Sequence, residues 1–117
     1  MVAFLKSRRP GEVATAPPVV AEIEYGIQRI DPSSRKRALL QSEKDRLLGV
    51  IRVLPWIPEA SRRFGEIKAR LEKEGALIDD FDIAIAAIAL SHEAGVLTAN
   101  LAHFSRVPGL SRGQWEP

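Results

Sequence analysis

Apolar residues along the chain recur at two spacings, one typical of buried strands and the other of helices. The run from Glu12 to Ala16 is short and lies between turn-forming residues, which predicts a buried strand. Pro17-Pro18 then opens a helix, because the first helical turn needs no amide donor. The apolar face of that helix consists of Val19, Ile23, Gly26, Ile27 and Ile30.

The same criteria divide the rest of the chain into elements separated by Pro and Gly. They predict a short helical stretch over residues 1–10, ended by Pro10-Gly11, and further helices over residues 32–50, 58–74 and 80–93. They predict strands over residues 52–54 and 96–99, a loop or single turn over residues 100–107, and a last edge strand near Trp115. The helix from Asp80 is apolar almost all round, so we expect it to be buried on most sides, and Gly95 to end it.

Strands that alternate with helices indicate an α/β domain with a short parallel sheet. Ligands of such sheets bind beyond the carboxyl ends of the strands. The residues that directly follow Ala16, Leu54 and Ala99 are therefore where a functional site is expected.

Composition narrows the class of protein without identifying a function. The 117 residues, 45% of them apolar and 27% charged, suit one small globular domain over residues 1–117. The chain has no cysteine and no apolar run of about 18 residues, so we expect a cytoplasmic protein without a membrane span. Net charge is only +2, and the basic clusters at residues 6–9, 35–37 and 62–63 are typical of solvated helix faces.

Glu22 is the first candidate for chemistry. It lies at the boundary of the apolar face, beside Gly26, where a carboxylate has room for a ligand. The alternative is a boundary glutamate whose stem packs while its carboxylate reaches water. Glu24 points further from the apolar face, and we expect it to be dispensable.

Asp82 is the second candidate. It is a charge inside an otherwise apolar helix, and the amino end of that helix supplies a stabilising positive potential. The alternative is that Asp79, Asp80 and Asp82 only cap the helix, although one aspartate suffices for a cap.

Asn100 is the third candidate, because it follows the last clear parallel strand, although asparagine there is also a common turn former. His103 has neither cysteines nor a second histidine at the His-x-x-x-His spacing that a zinc site needs.

Carboxylate and amide oxygens at strand ends suit Mg²⁺ or Mn²⁺, and such an ion supports phosphodiester hydrolysis.

Three segments resemble the PIN-domain ribonucleases of the VapC toxin type. Residues 20–26 (VAEIEYG) are similar to the family's Glu-Leu-x-x-Gly segment, and residues 80–87 (DFDIAIAA) to its Asp-x-x-Ile-Ala-Ala segment. Residues 96–110 (VLTANLAHFSRVPGL) resemble its closing motif. The resemblance implies a three-layer α/β/α fold in which Glu22, Asp82 and Asn100 are the catalytic metal ligands. It further implies an RNA substrate, a VapB-like antitoxin partner and a homodimer.

The chain departs from the family pattern at its start. The family opens with a central strand that ends in Asp-Thr-Asn, and that aspartate is a metal ligand, whereas this chain has no aspartate before Asp31. Residues 1–10 look like the family's second helix instead, so roughly twenty residues are expected to be absent. The sheet is then expected to lack its central strand, and its neighbours to lose a hydrogen-bonding partner. Two functions follow as alternatives, an active ribonuclease toxin and an impaired module that still binds an antitoxin.

Overall fold

The computed structural model describes residues 4–98 and 104–114, with residues 98 and 112–114 described for their backbone alone. Over these residues the chain forms five strands, β1 (Phe4–Lys6), β2 (Val13–Thr15), β3 (Arg52–Val53), β4 (Gly95–Thr98) and β5 (Arg112–Gln114). The same part of the chain contains four helices, α1 (Pro17–Gln28), α2 (Arg35–Val50), α3 (Pro58–Lys73) and α4 (Asp80–Ser91). This order of elements confirms the predicted α/β class.

The strands form one sheet in the order β3-β2-β1-β4-β5. The sheet is mixed and not purely parallel, since β1 runs antiparallel to both β2 and β4 while β2 pairs with β3, and β4 with β5, in parallel. The carboxyl ends of β2, β3 and β4 therefore lie at the same edge of the sheet, as the sequence predicts.

The expectation of a helix over residues 1–10 is wrong for Phe4–Lys6, which form the central strand. Leu5 is fully buried there and pairs with Ala14 on one side and Val96 on the other. The expected gap at the centre of the sheet is thus filled. The physical reason is that the inner edges of β2 and β4 both need a partner for their buried N–H and C=O groups.

Two element ends also differ from the prediction. Helix α2 begins at Arg35 with Ser34 as its N-cap, because the Asp31 carboxylate instead accepts hydrogen bonds from the backbone and hydroxyl of Ser33. Gly95 does not end α4 but begins β4, where a Cβ atom would lie 3.1 Å from the carbonyl oxygen of Ser111. Gly75 does follow the end of α3, with a φ of +66°.

The core lies between the sheet and the helices, and α4 contributes most to it. From Ile83 to Ala89, all residues of α4 except the half-buried Ala84 are buried. Helix α2 buries no residue and packs against α1 through partly buried side chains. Within the described residues, no helix is both long and apolar enough to cross a bilayer.

Candidate functional site

Three aspartates surround the start of α4, and the structure gives each a different environment. Asp79 is the N-cap residue, and its carboxylate accepts the backbone N–H of Phe81 at 2.7 Å. Asp82 belongs to the first turn and is only 6% exposed. A single aspartate thus caps the helix, and the capping interpretation does not account for a buried carboxylate at Asp82.

Asp80 is held by an ion pair with α3. The Nζ atom of Lys68 lies 3.1 Å from Oδ1 and 3.2 Å from Oδ2 of Asp80. The same ammonium group lies 6.0 Å from the ring centroid of Phe64. The Asp80 side chain is well exposed, so this pair faces solvent while Asp82 faces the interior.

Glu22 lies on α1, half-buried, and α1 packs directly against α4. An apolar groove of about 400 Å³ runs between the first turns of the two helices. Its walls include Ala21 and Phe81, the chain neighbours of Glu22 and Asp82, and the half-exposed Trp56. Glu22 and Asp82 do not line this groove themselves, but they belong to adjacent helices that pack together; that they share a metal ion stays a prediction.

Glu24 points away from the core, as the helical wheel predicts, and it joins α1 to α2. Its carboxylate forms an ion pair with Lys44 and accepts a hydrogen bond from Gln28 Nε2 at 2.7 Å. The Lys44 hydrogen bond, followed by that from Gln28, lowers the pKa of Glu24 below its usual range. The carboxylate is thus used to hold the α1–α2 pair together.

Asn100 and His103, the remaining residues considered as ligands, lie outside the described residues. Over residues 4–98 and 104–114, no three Asp, Glu or His side chains form a metal-binding cluster. The described donors are the carboxylate oxygens of Glu22 and Asp82. Hard oxygen donors fit Mg²⁺ or Mn²⁺, which bind few protein groups and keep several waters.

The basic clusters mostly bind carboxylates of the same chain. Residues 6–9 do not form a helix face, because they span the end of β1 and the turn before β2. Arg8 pairs with Glu93 at 2.9 Å, and the Glu12 carboxylate binds Arg9 and Arg52. These arginines line a cleft of about 500 Å³. The carboxylates of Glu12 and Glu93 offset two of these three arginine charges, so only one positive charge remains and the cleft adds little to the case for nucleic-acid binding.

Two polar groups near the strand ends were missed by the sequence analysis. The Thr15 hydroxyl, at the carboxyl end of β2, is buried and has no hydrogen-bond partner among the described residues. Arg106 binds backbone carbonyls of the loop that leads into α4. The Thr15 hydroxyl was missed because Thr15 lies in a mostly apolar run. Arg106 was missed because its contact joins parts of the chain that are far apart in sequence.

Comparison with known proteins gives one consistent set of relatives. A family model described as PIN domain matches residues 2–110. Ribonuclease VapC2 of Haemophilus influenzae is 33% identical over 109 residues, which cover 93% of this chain and 80% of that protein. Ribonuclease VapC2 of Rickettsia felis is 29% identical, covering 89% and 75% of the two chains. A tRNA(fMet)-specific endonuclease VapC of Salmonella typhimurium is 31% identical, covering 80% and 68%.

Solved structures give the same result at the level of the fold. The chain superposes on VapBC2 from Rickettsia felis, solved bound to a DNA fragment from its promoter, with a TM-score of 0.79 and 29% identity over 88% of this chain and 74% of that one. For VapBC-1 from nontypeable Haemophilus influenzae the TM-score is 0.81 at 24% identity, over 92% and 78%. These similarities confirm the expected three-layer α/β/α fold.

Proposed function

This chain belongs to the PIN-domain family, and from that premise we propose that it is a metal-dependent endoribonuclease, the toxin of a toxin–antitoxin pair. Its substrate is RNA, and the reaction is hydrolysis of a phosphodiester bond. Among the relatives is a tRNA(fMet)-specific endonuclease, so a structured tRNA is the first substrate to test.

The observation that carries the proposal is the buried carboxylate of Asp82 in the first turn of α4, next to the helix that bears Glu22. A buried carboxylate is costly unless a cation or hydrogen-bond donors compensate for its lost hydration. The positive end of the α4 dipole supplies part of that compensation. A divalent ion between α1 and α4 would supply more.

Glu22 and Asp82 would hold Mg²⁺ or Mn²⁺, together with Asn100, which lies outside the described residues. Such an ion lowers the pKa of a bound water and stabilises charge on the phosphate. The protein's own contribution is to fix the two carboxylates on packed helices.

We further propose a VapB-like antitoxin as the partner and a homodimer as the assembly. Support for the antitoxin comes from the structural relatives, which were solved as VapBC complexes. The homodimer rests on the family resemblance.

The alternative function is a catalytically impaired module that still binds an antitoxin. It is favoured by the low charge of the proposed ligands, of which only Glu22 and Asp82 are carboxylates. Asn100 contributes an oxygen but no charge, so the site has fewer anions to offset the dehydration that Mg²⁺ resists.

One assay separates these two functions. The purified chain is incubated with tRNA and Mn²⁺, with and without EDTA, beside the variant Asp82→Asn. Cleavage that requires both the metal and Asp82 supports the active toxin. Mn²⁺ binding that depends on Asp82 without cleavage supports the impaired module, and Mn²⁺ binding that is indifferent to Asp82 contradicts both.

A further inference from the structure

The segment around Arg106 contacts the loop that leads into α4, the helix that bears Asp82. We propose that Arg106 is a positioning residue that holds the loop between α3 and α4 and thereby sets the orientation of Asp82. This inference rests on the proposed metal site. It assigns Arg106 an indirect part, in which the side chain acts through the loop and not by contact with the metal.

The segment that bears Arg106 is firmly anchored. Phe104 and Val107, on either side of Arg106, are buried in the core, and so is Leu110. Gly109 has a φ of +77°, a backbone conformation that favours glycine and turns the chain before Leu110. Arg106 itself is exposed, so its side chain extends from a fixed backbone over the protein surface.

The guanidinium group of Arg106 binds the loop through backbone carbonyls. Its Nη1 atom donates to the carbonyl oxygen of Leu77 at 3.2 Å and to that of Ala76 at 3.4 Å. Hydrogen bonds from a charged donor are stronger than neutral ones. The backbone N–H groups of Glu74, Gly75 and Ala76 donate to carbonyls of α3, so these hydrogen bonds connect the start of the loop only to α3.

A short and constrained path connects those carbonyls to Asp82. Ile78, next to Leu77, is buried, and Asp79 is the N-cap of α4. Asp82 follows in the first turn, where the backbone N–H of Ile83 already donates to the Asp79 carbonyl at 3.1 Å. A loop freed from Arg106 would therefore move the cap, and the cap would move the carboxylate of Asp82.

A metal ligand tolerates little such movement, because the bond lengths and angles around Mg²⁺ are narrowly defined. Residues that orient metal ligands from behind typically change metal affinity about 10- to 100-fold when they are removed. We therefore expect Arg106→Ala to raise the Kd for Mn²⁺ by about tenfold. Arg106→Lys retains the charge but not the planar guanidinium, and we expect an intermediate Kd.

The experiment compares Arg106→Ala and Arg106→Lys with Arg70→Ala, a control that removes an exposed arginine of α3 paired with Glu74, the C-cap residue of that helix. Mn²⁺ affinity is measured by titration calorimetry well below the melting temperature. Hydrogen exchange of the peptide over residues 76–83 is followed in the metal-free protein. We expect Arg106→Ala to bind Mn²⁺ more weakly and to exchange faster than the parent chain. Arg106→Lys should give intermediate values of both quantities, and Arg70→Ala should change neither.

A lower melting temperature for Arg106→Ala with unchanged Mn²⁺ affinity and exchange would overturn the inference, since it would show a purely structural contact. Asp82→Asn, measured in parallel, keeps this failure distinct from failure of the proposed function. If Asp82→Asn abolishes Mn²⁺ binding and Arg106→Ala does not change it, the inference alone fails. If Asp82→Asn also leaves Mn²⁺ binding intact, the metal site itself is wrong and the inference falls with it.

Discussion

The Nζ atom of Lys68 lies 3.1 Å from Oδ1 of Asp80, so the carboxylate next to the candidate site already has a cation. We predict that Asp80→Asn changes the Kd for Mn²⁺ by less than about fivefold, because exposed ion pairs contribute little free energy. Asp82→Asn should raise it by about tenfold or more. Titration calorimetry on both variants measures this difference, and equal losses would show that Asp80 is a ligand and that Lys68 releases it.

Glu22 and Glu24 allow a matched comparison within one helix. We predict that Glu22→Gln raises the Kd for Mn²⁺ by about tenfold or more, whereas Glu24→Gln leaves it nearly unchanged. The reason is that Glu24 is bound to Lys44 and Gln28 on the side of α2. If Glu24→Gln were the more damaging change, the helical face assigned to the metal would be wrong.

The same pair of glutamates can be combined with Asp82. If Glu22 and Asp82 hold one ion, the double variant Glu22→Gln/Asp82→Asn should lose little more affinity than either single variant. Residues that share a ligand are not additive in such a cycle, while independent sites are. Additive losses would mean that the two carboxylates act at separate places.

The ion pair of Glu24 with Lys44 predicts a pH dependence of stability. Because the pKa of Glu24 is lowered on folding, mainly by the Lys44 hydrogen bond, the pair stabilises the protein above the ordinary glutamate pKa of 4.5. That stabilisation is lost as pH falls through the lowered pKa. Lys44→Met should therefore reduce the unfolding midpoint in urea at pH 7, and the difference from the parent chain should shrink at pH 3. If the difference in unfolding midpoint were the same at pH 7 and pH 3, the effect of Lys44→Met would come from packing of the lysine stem.

Because β1 lies at the centre of the sheet, we predict that shortening the Leu5 side chain strongly destabilises the protein. Leu5→Ala should lower the free energy of unfolding by about 2–5 kcal/mol, as for other buried leucines. That is a large share of the roughly 5–15 kcal/mol that stabilises a domain of this kind. Lys6→Ala, on the exposed neighbour, should have little effect in the same urea titration. A small loss for Leu5→Ala would argue that Phe4–Lys6 does not lie at the centre of the sheet.

Spacing of apolar residues predicted α1, α3 and α4 well because these helices carry their own start and stop signals. Pro17-Pro18 and Pro58 mark two starts, and Asp79 caps the third. The helix expected at Phe4–Lys6 was wrong because this strand pairs with β4, at the other end of the chain, as well as with β2. No local pattern contains that partner.

The same distinction applies to the candidate site, because local sequence predicts some of its residues and contacts between distant segments determine the rest. Glu22 and Asp82 could be selected because each interrupts a local apolar pattern. That Asp80 is paired with a cation could not be predicted, since its partner Lys68 lies on α3. Likewise the role of Arg106 depends on carbonyl groups of residues 76 and 77, which carry no signal in their side chains.

The pairing of Leu5 with both Ala14 and Val96 has a consequence for the order of folding during synthesis. The hairpin of β1 and β2 can form as soon as it leaves the ribosome, yet the other edge of β1 stays without a partner until β4 emerges. An open edge with a buried leucine is a template for pairing with another chain. Most of the chain must therefore be made while this edge is vulnerable, and aggregation of nascent protein should compete with folding during that interval.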